Sequence, residues 1–99
     1  MDRLRITGGQ KLQGTVTVSG AKNAALPQIA AAFLSPHPLE LTNLPQVSDV
    51  DNMLQVAALY GAVVERGAHA TTIGAGSIRS CEVSYDTVRR MRATVLFLA

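Results

Sequence analysis

Val18-Ser19-Gly20-Ala21-Lys22-Asn23-Ala24-Ala25-Leu26-Pro27-Gln28-Ile29-Ala30-Ala31-Ala32-Phe33-Leu34 is the stretch that decides how this 99-residue chain folds. It runs from an extended segment through a glycine-containing turn into the block 24–34, in which Gln28 is the one polar side chain. Pro27 lies close enough to the start of that block to be tolerated in a first helical turn. The spacing predicts a helix over 24–34, apolar on nearly every side and therefore expected to be buried on nearly every side. Eleven residues are too few to cross a bilayer, so protein is expected to surround it.

Upstream, residues 4–7 and 15–18 are short β-branched segments separated by Gly8, Gly9 and Gly14, which predicts two strands joined by a turn. Downstream, Ser35-Pro36-His37-Pro38 ends the helix, and 39–42 alternates apolar and polar as a strand does. Ser48 offers an N-cap for a second helix over 49–60, with Asp49 and Asp51 in the first turn, where the helix dipole favours acids. Val50, Met53, Leu54 and Ala57 share one face of it, and Gly61 is placed to end it. Segments 63–66 and 70–73 flank Gly67-Ala68 as a hairpin. From Thr15 to Ile73 the order is strand, helix, strand, helix, strand, strand, an α/β (α+β) unit. A strand near 81–84 and a helix from about 86, with Val88, Met91, Val95 and Leu98 on one stripe, would begin a second such unit. That helix reaches Ala99 with no cap and no polar tail, so the chain is expected to be part of a larger fold.

Composition narrows the function classes. With 47% hydrophobic residues, the chain suffices for one small domain or a piece of one. No apolar run reaches the length of a membrane span, and the first five residues lack the pattern of a secretory leader. The single cysteine, Cys81, cannot form an internal disulfide or a cysteine-based zinc cluster. A cytoplasmic location is the expectation. A net charge of +2 and a pI near 9.1 raise nucleic-acid binding, but the nine basic residues are dispersed and only 4% of residues are aromatic. A small anionic ligand suits this balance better.

The strand-to-helix passage at 18–24 is where such a ligand would sit. Free amides at a helix start beside the Lys22 ammonium favour a phosphate or carboxylate. The spacing Gly-x-x-x-x-Gly-Lys-Ser/Thr is absent, so nucleoside triphosphate hydrolysis has no support. From the residues alone, a solvated turn lysine is the plainer account of Lys22, with the anion site as the alternative. Arg92 borders the apolar stripe of the last helix; a bidentate contact to a diphosphate and a solvated basic face stand level for it. Arg89 and Arg90 read as a solvated face. Asp49 and Asp51 are explained by helix-start electrostatics rather than acid-base catalysis. His37 and His69 have no evident partner, and Cys81, beside Glu82, reads as structural.

Ser19-Gly20-Ala21-Lys22-Asn23-Ala24-Ala25-Leu26-Pro27 is very similar to the opening signature of the UDP-N-acetylglucosamine 1-carboxyvinyltransferases. The resemblance extends through Leu12-Gln13-Gly14, Val47-Ser48-Asp49-Val50-Asp51, Leu59-Tyr60-Gly61-Ala62, Tyr85-Asp86 and Met91-Arg92-Ala93-Thr94. The related enzymes of the shikimate pathway carry a Ser-Lys-Ser-type signature where this chain has Ala21-Lys22-Asn23, which favours the amino-sugar enzymes.

The resemblance implies a bacterial cytoplasmic transferase that moves the enolpyruvyl group of phosphoenolpyruvate to the 3-hydroxyl of UDP-N-acetylglucosamine, releases phosphate and begins peptidoglycan precursor synthesis. It implies no metal and no organic cofactor. The implied fold is an inside-out α/β barrel of two domains, each built from repeated strand-helix-strand-helix-strand-strand units. Residues 1–20 would join the carboxy-terminal domain, and 21–99 would form part of the other. Lys22 would hold the anionic groups of phosphoenolpyruvate, Asn23 would order the substrates, and Arg92 would contact UDP-N-acetylglucosamine. The general acid would sit on a loop beyond Ala99 and the carboxylate base in the other domain, so no catalytic residue is expected within this chain and it alone should not turn over. Competing expectations are a non-catalytic anion-binding or interaction module, the shikimate-pathway transferase, and a nucleic-acid binder using Arg89 to Arg92. Apolar surface left by absent repeats would favour self-association.

Overall fold

Residues 2–76 and 95–97 are described by the computed structural model. They form helix α1 (Lys22–Ala31), a 3-10 turn (Ala32–Leu34), strand β1 (Leu39–Thr42), helix α2 (Ser48–Leu59) and strands β2 (Val63–Arg66) and β3 (Ala70–Gly74). The expected strand at 81–84 and helix from 86, with Cys81, Arg89, Arg90 and Arg92, lie outside the described residues.

β3 is the centre of an antiparallel sheet in the order β1-β3-β2. Its register places Leu39 and Val64 on either side of Ile73, so three branched side chains line up across one face. Ile73 is fully buried, and Leu39 and Val64 pack against the same core. The two helices supply the rest of that core through Leu26 and Ile29 of α1 and Val50, Met53, Leu54 and Ala57 of α2. Ile29, Met53, Ile73, Val50 and Val56 are the largest fully buried side chains, each worth roughly 1.5–3 kcal/mol of transfer free energy. Phe97 joins from the far end of the chain, its ring 5.0 Å from that of Phe33 and 5.5 Å from that of Tyr60.

α2 follows its sequence closely. The four expected core positions are buried, and Val56 joins them. It ends in two backbone hydrogen bonds: the Gly61 amide donates to the Ala58 carbonyl, 3.0 Å, and the Ala62 amide to the Ala57 carbonyl, 3.1 Å. That closure needs the left-handed backbone that Gly61 supplies at φ 105°. The start differs from expectation. Val47, not Ser48, occupies the cap position and there is no side-chain capping bond; the Val47 carbonyl accepts from the amides of Val50 and Asp51.

Three further expectations are corrected. α1 begins at Lys22, two residues before the predicted start, which puts Pro27 inside the helix rather than in its first turn. Proline has no N–H, so the Asn23 carbonyl four residues earlier loses its helical donor. α1 is also buried on one face rather than all round: Ala25, Leu26 and Ile29 are covered, whereas Ala24, Pro27, Gln28 and Ala31 are exposed. An all-apolar block has no preferred inward side, and among the described residues α1 is covered where α2 packs against it, while β3 meets the 3-10 turn that follows. Finally, residues 4–7 and 15–18 form no strand. Leu4, Ile6, Leu12, Val16 and Val18 are each at least 79% exposed, because no strand edge among the described residues pairs with them.

Candidate functional site at the start of helix α1

The loop before α1 is seated by backbone contact. A Cβ built on Gly20 would lie 1.8 Å from the carbonyl oxygen of Asn43 and 3.2 Å from Cδ of Pro45. Only a residue without a side chain fits there, so the turn Ser19-Gly20-Ala21 rests directly on the connection between β1 and α2. Asn43 itself takes a positive φ of 57°, a conformation asparagine tolerates better than most residues. This contact brings the first turns of the two helices together.

α1 opens as an electropositive end. Ala21 takes extended φ and ψ and has no side chain able to cap the helix, and its carbonyl accepts the first intrahelical bond, from Ala25, at 3.0 Å. The amides of Lys22, Asn23 and Ala24 precede that bond, and no acid of α1 stands in its first turn. The carboxylate that meets this end comes from α2: Lys22 Nζ is 3.0 Å from Asp49 Oδ2. The side chains are 47% and 35% exposed, so the pair is open to an incoming ligand. Asn23 is exposed beside it.

The structure therefore places Asp49 against Lys22, whereas the sequence assigns Asp49 to helix-start electrostatics alone; Asn23 follows Lys22 in the chain and is exposed. A contact between residues in two different helices has no local signature, so only the packing of α1 on α2 could reveal it. Asp51, on the same first turn, pairs instead with Arg66 of β2. Arg92, the third expected binding residue, lies outside the described residues. His37 and His69 are exposed, the His37 amide donating to Ser35 Oγ at 3.1 Å. A separate open groove of about 350 Å³ lies between the hairpin and the β1–α2 connection, lined in part by Asn43, Gln46, Arg66 and His69. Neither Lys22 nor Asn23 lines it. Among the described residues no three His, Cys, Asp or Glu side chains converge, and no helix is long and apolar enough to cross a membrane.

Residues 6–99 match the family model of EPSP synthase (3-phosphoshikimate 1-carboxyvinyltransferase). The chain belongs to the EPSP synthase family. Within that family its sequence is 71% identical, over all 99 residues, to UDP-N-acetylglucosamine 1-carboxyvinyltransferase 2 of Mesorhizobium japonicum, and 48% identical to the UDP-N-acetylglucosamine 1-carboxyvinyltransferase of Wolinella succinogenes. The chain spans about a quarter of these curated relatives, 24% of each. The crystal structure of the enolpyruvyl transferase NikO from Streptomyces tendae superposes with a TM-score of 0.78 at 25% identity, covering 92% of this chain and 21% of that one. The EPSP synthase family assignment agrees with the α/β architecture expected from the order of helices and strands.

Proposed function

We propose that this chain forms the substrate-anion side of a transferase that moves the enolpyruvyl group of phosphoenolpyruvate to the 3-hydroxyl of UDP-N-acetylglucosamine, the opening step of peptidoglycan precursor synthesis in the cytoplasm. The observation that carries this is the 71% identity to an amino-sugar transferase along the whole chain, including the segment that starts α1. In this reaction the sugar O–H adds across the C2–C3 double bond of phosphoenolpyruvate, its oxygen to C2 and a proton to C3. Phosphate then leaves C2 as C3 gives up a proton. The addition and elimination need cations that hold a dianionic phosphate and a carboxylate in a closed cleft.

Lys22 and the free amides of α1 are suited to that task. Asn23 stands next to Lys22 to order the two substrates, and Arg92 contacts the UDP-sugar. Residues 1–20, with their exposed alternate apolar side chains, belong with a second domain, and 21–99 with the domain whose core is described above. The reacting acid and base are supplied from elsewhere in a full-length protein, so the 99-residue chain alone shows negligible turnover.

The test is phosphate release by a full-length protein carrying this segment. Release that requires both phosphoenolpyruvate and UDP-N-acetylglucosamine, and falls at least about a hundredfold in Lys22→Ala, is the expected result for an electrostatic clamp. Release driven by shikimate 3-phosphate in place of the UDP-sugar would move the protein to the other branch of the family. Unchanged kinetics in Lys22→Ala would return Lys22 to a solvated turn lysine.

A further inference from the structure

We infer that Asp49 is a positioning residue for Lys22, fixing where its ammonium points before substrate arrives; this rests on the proposed role of Lys22 as an anion clamp. A lysine at the open end of a helix has a flexible four-carbon stem and many rotamers, which makes it a poor clamp unless something restrains it. Asp49 supplies that restraint at 3.0 Å. Both ends of the pair stand on fixed backbone. The start of α1 is seated by Gly20 on Asn43, and Asp49 precedes fully buried Val50, in a turn closed by the Val47 carbonyl. An ammonium has three donors, so one bond to Asp49 leaves two for a phosphate or carboxylate.

Helix-start electrostatics does not by itself account for this arrangement. Asp49 and Asp51 occupy the same first turn of α2 and serve its dipole alike, yet Asp49 meets Lys22 and Asp51 meets Arg66. The two acids therefore provide an internal control for each other.

The experiment is steady-state kinetics on a full-length protein carrying residues 1–99, with phosphoenolpyruvate varied. Asp49→Asn raises KM for phosphoenolpyruvate about fivefold, the upper end for a half-exposed ion pair, and changes kcat less than about twofold. Asp49→Ser, which keeps a good helix-start residue without the charge, carries the same expectation if Asp49→Asn does not fold. Asp49→Glu restores most of the affinity, and Asp51→Asn leaves KM unchanged. KM does not depend on the fraction of enzyme that is folded, so loss of folded protein alone would not move it. An unchanged KM in Asp49→Asn overturns the inference, as does a fall, which would make Asp49 a competitor of the substrate. An equal rise in Asp51→Asn also overturns it by assigning the effect to helix charge. Lys22→Ala separates the two levels: if it leaves KM and kcat unchanged, the clamp itself fails, and if it impairs both while Asp49→Asn does not, only the role of Asp49 fails.

Discussion

Gly20 lies so close to Asn43 that a Cβ at position 20 would stand 1.8 Å from the Asn43 carbonyl oxygen. The obstacle is backbone, which cannot swing aside as a side chain can. Lys22 follows two residues later, so this contact sets the distance between the α1 end and Asp49.

Gly20→Ala is expected to displace the turn before α1 and cost about 1–3 kcal/mol, the range for forcing atoms into a packed site. The urea midpoint of a full-length protein reports the loss, and KM for phosphoenolpyruvate should rise with it because Lys22 is moved. A midpoint equal to that of the parent would mean that the loop yields without strain.

Ile29 tests which face of α1 carries the fold. It is fully buried, while its neighbour Gln28 is exposed. Ile29→Ala should destabilise by about 2–5 kcal/mol through lost burial and the cavity left behind, whereas Gln28→Ala should stay within about 0.5 kcal/mol. Chemical denaturation distinguishes the two, and similar midpoints would place the buried face elsewhere.

Amide exchange separates the arm from the core. Residues 4–18 hold no ladder bonds among the described residues, whereas Ile73 sits in the central strand. In the 99-residue chain the arm amides should exchange at unprotected rates while the Ile73 amide is protected, measured by proton-deuterium exchange with NMR detection. In a full-length protein the arm should gain protection if residues 1–20 pair with a second domain. Protection of the arm in the isolated chain would show instead that it pairs within these 99 residues.

Much of the local structure was legible because its causes are local. Alternation in Leu39-Glu40-Leu41-Thr42, the helical spacing of Val50, Met53, Leu54 and Ala57, the Gly61 stop and the turn at Gly67-Ala68 each depend on neighbours a few residues away. Those elements form where they are expected. The apolar block beginning at Ala24 places the start of α1 there, whereas the helix begins at the polar residues Lys22 and Asn23 and holds Pro27 further in. At the site, the motif around Lys22 and Asn23 pointed to anion chemistry, but Asp49 was visible only as a helix-start acid.

What the sequence determined by itself is the presence of helices α1 and α2 and strands β1 to β3, the identity of the core side chains in α2 and the family to which the chain belongs. Tertiary structure decided which face of α1 is covered, that Lys22 pairs with Asp49 and Asp51 with Arg66, and that the alternating apolar residues of the arm stay exposed. The physical reason is range. Periodicity and turn chemistry act within one or two turns of chain, whereas a uniformly apolar helix, a flexible lysine and an unpaired strand are defined only by what packs against them.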